Sequence, residues 1–219
     1  LLNNNNYYKY LESAINLISK DYNYIFSELE INGINNISSE EIENYFNKYY
    51  HHSIFLVPFK KISKNLEDNN WIKLFSVNTN YKNKISITIE ESKPIGVYFN
   101  GKNYFLIDEF GEVIDVINEN KILPYIQFTG KGAQEYMPRL IKEIPDSMKS
   151  IIKKAEYIGK RRWNIILKNN IIIKLPELQE REALKVFSEI YDNMSVQDES
   201  EIDIIDLRIP KRAIIQFNE

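Results

Sequence analysis

Residues 85–90 read Ile-Ser-Ile-Thr-Ile-Glu, and this strict alternation limits the fold more than any other feature of the chain. A period of two puts Ile85, Ile87 and Ile89 on one side of an extended strand and Ser86, Thr88 and Glu90 on the other. The strand must therefore lie in a sheet with one buried and one solvated face. Upstream, Tyr24 to Ile31 forms an extended run that ends at Asn32-Gly33, where glycine permits a turn. Ser38 stands three residues before Glu41, a capping signal that predicts a helix of about ten residues burying Ile42, Tyr45, Phe46 and Tyr49. Pro58 opens a second helical pattern through Phe59, Ile62 and Leu66. Trp71 to Tyr81 is extended again. Residues 24–91 thus read β-α-α-β-β, and Tyr7 to Lys20 ahead of them reads as a short amphipathic lead-in helix.

After Pro94 short strands dominate. Ile95–Phe99 and Tyr104–Ile107 flank Asn100-Gly101, the strongest short hairpin signal a sequence offers. Val113–Val116 follows a turn at 109–111. Gly132–Ile144 reads as a helix stopped by Pro145. Extended runs at 150–158, 163–167 and 171–175 come next, the last two joined by a turn at Lys168-Asn169-Asn170. A helix is expected over 178–191 and final strands at 202–207 and 213–217. The fold class expected is α+β.

Several chemistries are excluded or disfavoured by what the chain contains. It has 28 basic and 31 acidic residues, net −3, so no long-range field draws in nucleic acid. With no cysteine there is no disulfide, thiolate metal site or cysteine nucleophile. The two histidines, His51 and His52, are neighbours and sit where a helix ends, which reads as a polar loop rather than a ligand set. Asp108-Glu109, Glu90-Glu91 and Asp203 with Asp206 are the carboxylate clusters; each lies at a strand end or turn, and all read as exposed surface acids. Gly130-Lys131-Gly132 lacks the flanking residues of a phosphate loop and reads as a loop entering a helix. Lys153-Lys154 with Lys160-Arg161-Arg162 is the one basic patch, suited to an acidic protein partner. No catalytic set, cofactor site or metal site emerges. No run of 18 apolar residues occurs, and a chain that opens Leu-Leu-Asn-Asn-Asn-Asn reads as a fragment, with a membrane anchor among the segments that can precede it.

Three motifs then point to a family. Glu91-Ser92-Lys93-Pro94-Ile95 leads to a strand and to Leu106-Ile107-Asp108 with Gly111 and Val113; Arg161-Arg162-Trp163 leads to a hairpin ending Leu175-Pro176-Glu177; and Asp206-Leu207-Arg208 is followed by Pro210 and Arg212. In this order and spacing, over residues 22–217, the chain resembles the bacterial cell-division family FtsQ/DivIB, with "RRW" and "DLRIP" closest to the alphaproteobacterial branch. The resemblance implies a lead-in at 1–22 after a membrane anchor, a POTRA domain at 23–92 and a mostly antiparallel β domain with flanking helices at 93–219. It implies a non-enzymatic, single-pass inner-membrane protein whose periplasmic part works at the septum. There it binds FtsB and FtsL and helps control septal peptidoglycan synthesis, with weak self-association a further expectation.

Carried over by motif, the partner-binding residues are Arg161 or Arg162, Arg208, Ile209, Ala213, Ile214, Ile215, Gln216 and Phe217. An open final strand gives backbone pairing for affinity and alternating side chains for specificity. Pro210 has no N–H, so pairing with a partner strand is expected either to be confined to Ala213 onward or to be interrupted at 210. The bland alternative for 213–217 is an ordinary final strand with a solvated outer face. The alternative function is a POTRA-type chaperoning module in outer-membrane protein assembly or secretion; a single POTRA-like unit without repeats counts against it.

Overall fold

The structure, a computed structural model, describes residues 4–218. It divides into two compact units, residues 1–92 and 93–219.

In the first unit, helix α1 (Asn4–Asp21) precedes strand β1 (Glu28–Asn32), helices α2 (Ser39–Asn44) and α3 (Phe59–Glu67), and strands β2 (Ile72–Thr79) and β3 (Lys84–Glu91). The sheet order is β1-β3-β2, with β1 parallel and β2 antiparallel to β3. Ile85, Ile87 and Ile89 are buried against Phe26, Ile42, Phe46, Ile62 and Leu66, while Thr88 and Glu90 are exposed. The alternation therefore sets the register of the central strand.

Two expectations need correction in this unit, the length of α2 and the burial of Tyr45 and Tyr49. Helix α2 has six residues, not ten; Ser38 caps it through the Glu41 N–H as expected, but the chain tightens at Tyr45 and makes a 3₁₀ turn at Asn47–Tyr49. Ile42 and Phe46 are buried and Tyr45 and Tyr49 only half-buried, because the tighter turn moves the tyrosines off the helix's apolar line. Trp71 is likewise half-buried and packs on the rim of the core. Helix α1 is present, yet its apolar side is not what docks. Asn16 Oδ1 accepts the Ser53 N–H at 2.6 Å and the Ser19 and Ser53 hydroxyls meet at 2.7 Å, so the polar edge faces the unit while Tyr10, Leu17, Ile18 and Tyr22 stay exposed.

Glu91 is the largest departure from a surface reading. Only 8% exposed, its carboxylate accepts the N–H groups of Asn35, Asn36 and Ile37 at 2.7–3.0 Å and the Asn36 side-chain amide at 2.7 Å. The end of β3 thereby fixes the loop that leads into α2. Glu90, its neighbour, is exposed as expected and pairs with Lys73.

The second unit is a nine-stranded sheet of order β12-β11-β10-β9-β8-β7-β4-β5-β6. Its strands are β4 (Pro94–Phe99), β5 (Tyr104–Asp108), β6 (Val113–Ile117), β7 (Gln127–Thr129), β8 (Ile152–Ile158), β9 (Arg162–Leu167), β10 (Ile172–Lys174), β11 (Ile202–Asp206) and β12 (Ile214–Phe217). Helices α4 (Ala133–Glu143), α5 (Asp146–Lys149), α6 (Glu180–Asp192) and α7 (Val196–Glu201) lie between them in sequence. Phe128, Met137, Ala155, Trp163, Ile165, Ile173, Leu184, Phe187 and Ile205 form one core between the sheet and α4 and α6. The hairpin at Asn100-Gly101 forms as expected. Strand β7 was not anticipated: it has three residues, lies parallel to both β4 and β8, and joins the antiparallel β4–β6 meander to the mixed β8–β12 strands in one sheet.

Gly130 shows how tightly that junction packs. Its φ is +106°, and a Cβ there would lie 2.3 Å from the Tyr157 carbonyl oxygen. The residue thus needs both the left-handed conformation and the bare backbone. Gly130→Ala is expected to cost about 2 kcal/mol in urea unfolding, the scale of a strained backbone site. As expected from the sequence, Gly130–Gly132 forms the loop into α4.

Candidate interaction site

The two ends of the nine-stranded sheet are chemically different. At β6, Val116 is exposed, but its N–H donates to Asp115 Oδ1 at 2.7 Å. A backbone donor that an added strand would need is thus already occupied, and a carboxylate sits at the middle of the edge; both blunt it. At β12, Ile214, Ile215 and Phe217 are 53%, 37% and 55% exposed, and no charged side chain interrupts the strand.

The backbone of β12 is laid out by its pairing with β11, Asp206 opposite Ile214, Ile205 opposite Ile215 and Ile202 opposite Phe217. Asn218 N–H donates to Glu201 O at 2.7 Å. Because donors alternate sides along an antiparallel strand, the N–H groups of Gln216 and Ile214 turn toward β11 and those of Ile215 and Phe217 turn outward. The side chains alternate too. Ile215 and Phe217 lie across from the core residues Ile205 and Ile202 and extend the core row past its last covered strand; Ile214 and Gln216 face the other side.

Pro210 lies in the turn that joins β11 to β12. Strand pairing stops at Asp206, residues 207–213 form the connection, and pairing resumes at Ile214, so Ala213 lies just outside β12. Ile209, 47% exposed, is in that connection. With Leu207, Pro210, Lys211 and Arg212 it forms one wall of a groove of about 320 Å³, whose other wall is Pro176 and Leu178 from the segment before α6 and Glu182, Ala183 and Val186 from α6 itself. Leu178, 68% exposed, and Val186 were not singled out from the sequence. The four-residue spacing of Glu182 and Val186 on α6 was the available signal.

Arg208 does not stand free. Its Nε donates to both carboxylate oxygens of Asp206 at 2.9 Å, its Nη2 donates to Oδ2 at 2.5 Å, and its backbone N–H donates to Oδ1 at 3.0 Å. The Asp206 side chain is 16% exposed and that of Arg208 42%. The Arg208 guanidinium, with Lys174 on the neighbouring strand adding to it, holds the Asp206 carboxyl below its ordinary range against the opposing effect of burial. Asp206 is therefore an ion-paired residue, not the solvated acid its sequence position implied; Asp203, its companion, is half-buried.

Arg161 and Arg162 are placed elsewhere. Arg162 pairs across from Ile158 on β8, and the row Glu156–Asn164–Lys174–Asp206–Ile214 links its strand to β12 on the same sheet face. Strands β10 and β11 intervene, so Arg162 is roughly 14 Å from β12 at the usual strand spacing. Its Nε and the Asn164 Oδ1 are buried and, among the described residues, have no hydrogen-bond partner. Arg161 is exposed in the turn beside Gly159. Tyr157 and Trp163 point into the core, so neither gives the basic patch an aromatic surface, and Lys154 is paired with Glu156.

Other sequence candidates have structural roles. Asp108 Oδ1 accepts the N–H groups of Phe110 and Glu112 and closes the β5–β6 turn. His51 is in a turn at φ +65°, and the His52 ring meets the Tyr50 carbonyl. Among the described residues no group of three His, Cys, Asp or Glu is arranged to hold a metal ion, and no helix is long and apolar enough to cross a membrane.

Comparison with known proteins accounts for both units. Residues 26–92 match the FtsQ-type POTRA domain, and residues 97–208 match the C-terminal domain of the cell-division protein FtsQ/DivIB. The cell division protein FtsQ of Rickettsia typhi is 30% identical over 94% of this chain and 78% of its own length. FtsQ of Bradyrhizobium diazoefficiens is 25% identical over 95% of this chain and 61% of its own length. The major extracytoplasmic domain of the cell-division protein DivIB from Geobacillus stearothermophilus aligns with a TM-score of 0.34 at 10% identity, covering 48% of this chain and 99% of that one. A POTRA domain followed by a mostly antiparallel sheet with helices, matched along nearly its whole length by FtsQ sequences, means that this chain belongs to the FtsQ/DivIB family of bacterial cell-division proteins.

Proposed function

We propose that this chain is a non-enzymatic scaffold of the division machinery that receives a strand of FtsB, with FtsL as a further partner, on the open edge of β12. Through that contact it helps control septal peptidoglycan synthesis. In this reading a single-pass inner-membrane anchor holds the protein, and the portion described here works in the periplasm at the septum.

The observation that carries the reading is the asymmetry of the sheet's ends: the β6 edge is blunted by Asp115, while β12 leaves two outward N–H groups and three exposed apolar side chains. An incoming strand gains backbone hydrogen bonds there and covers Ile215 and Phe217 on one side. On the other side it meets Ile214, Gln216 and Arg208. The partner's apolar and acidic residues must then stand at opposite parity along its strand, and the groove beside Ile209 takes what continues past it.

The test is titration of the chain with the extracytoplasmic segment of FtsB from the same organism, comparing wild type with Phe217→Ala and Arg208→Glu. Saturable binding, weakened about tenfold or more by each substitution with thermal unfolding unchanged, supports the reading. No binding by wild type at tens of micromolar, or equal binding by both variants, defeats it.

A further inference from the structure

The proposed contact gives Arg208 the task of meeting a partner's acid, and the structure already engages that guanidinium. The geometry points to Asp206 as a positioning residue: it holds Arg208 by the Nε–Nη2 edge and leaves the Nη1–Nη2 edge free to take a carboxylate of the partner strand. This inference rests on the β12 reading above and adds to it a residue that touches no partner.

The argument is one of donor counting. A guanidinium has five N–H donors in a rigid plane, enough for two forked contacts on adjacent edges. Asp206 takes the Nε–H and one Nη2–H. Among the described residues, the two Nη1–H groups and the remaining Nη2–H donate to nothing, and one Nη1–H together with that Nη2–H forms the other fork. Asp206 is itself fixed: it lies in β11 opposite Ile214, its side chain is mostly covered, and its Oδ1 also accepts the Arg208 backbone N–H at 3.0 Å. Both ends of the arginine are thus tied to one carboxylate, beside the first residue of the open edge. A free arginine must give up rotamer entropy to make a forked contact; a pre-held one has already done so. The fork also sits at the same position along the sheet as the start of β12, so the partner's acid is read at a set register.

A competing possibility is that Asp206 acts as an intramolecular rival, occupying the arginine until the partner's acid displaces it. The two accounts differ in sign. If Asp206 positions, its loss weakens binding; if it competes, its loss tightens binding.

The experiment is a double-mutant cycle on the chain, titrated with the FtsB extracytoplasmic segment at low salt: wild type, Asp206→Asn, Arg208→Ala and the double variant. Asparagine keeps the oxygen that accepts the Arg208 N–H, so the turn persists while the fork is lost. The expected result is that Asp206→Asn weakens binding about tenfold, Arg208→Ala weakens it at least as much, and the double variant binds like Arg208→Ala alone. A purely structural role for Asp206 would instead lower affinity in the Arg208→Ala background too, and that result overturns the inference. Unchanged or tighter binding by Asp206→Asn, with Arg208→Ala still weakened, also overturns it and leaves the β12 reading standing. Normal binding by Arg208→Ala removes the arginine contact and overturns the inference, while the β12 reading then stands or falls with Phe217→Ala. If Asp206→Asn lowers the thermal midpoint, the Arg208 Nε–H resonance of the wild-type chain decides: slow exchange with solvent is expected from the fork, and fast exchange contradicts it.

Discussion

Ile215→Pro is expected to weaken binding of the FtsB segment at least a hundredfold while the protein remains folded. The Ile215 N–H turns outward from β12, so proline there removes a donor that the sheet itself does not use. It also places a ring in the path of an added strand. Edge positions of this kind are where sheets tolerate proline. Gln216→Pro is the control, since its N–H faces β11 and the substitution breaks the existing ladder. A hundredfold loss corresponds to about 2.8 kcal/mol, more than one net hydrogen bond supplies, and the remainder comes from the steric block. Calorimetric titration of both variants, with circular dichroism to follow folding, measures the contrast.

Glu91→Ala is expected to destabilise the first unit by about 3 kcal/mol. Its carboxylate satisfies three backbone N–H groups, one of them, on Ile37, buried, and the alanine variant strands them. Burial alone pushes this carboxyl up, but the N–H groups of Ile37 and Asn35 and the Asn36 amides outweigh it and hold the group below its ordinary 4.5. The sign of the pH dependence follows. A carboxyl with a depressed folded-state pKa adds stability that is complete above its unfolded value and disappears as pH falls through the folded one. The gap between wild type and Glu91→Ala should therefore be widest near neutral pH and narrow progressively below about pH 4.5. Denaturant unfolding of the two chains at pH 7 and pH 3.5 checks this; a constant gap would mean that Glu91 acts by packing alone.

Those two residues also mark where reading the sequence succeeds and where it stops. Period-two alternation located β3 because a half-buried strand leaves no other pattern, and Asn100-Gly101 located the hairpin because Asn100 Oδ1 accepts the Lys102 and Asn103 N–H groups and Gly101 takes φ +98° in the four-residue turn 100–103. The final strand itself was legible in the apolar run 213–217, which forms β12 over Ile214–Phe217. Glu91 was misread as a surface acid because its partners lie 54 to 56 residues away in the chain, and no local pattern announces three converging N–H groups. Strand β7 escaped because three residues are too few to show a period, and its place is set by β4 and β8 on either side. The Asp206–Arg208 pair was available in principle: two residues apart at a strand end, they share a face. What the sequence could not show was that Asp206 is largely covered, which turns a surface ion pair into a fixed one.

The most direct test of the account is amide hydrogen exchange across β12 with and without the FtsB segment. Strand addition predicts new protection at Ile215 and Phe217, whose N–H groups face outward, with little change at Gln216, already bonded to β11, and none at Val116 on the opposite edge. Saturating binding that leaves Ile215 and Phe217 exchanging as in the free protein, or that protects β6 instead, would contradict it.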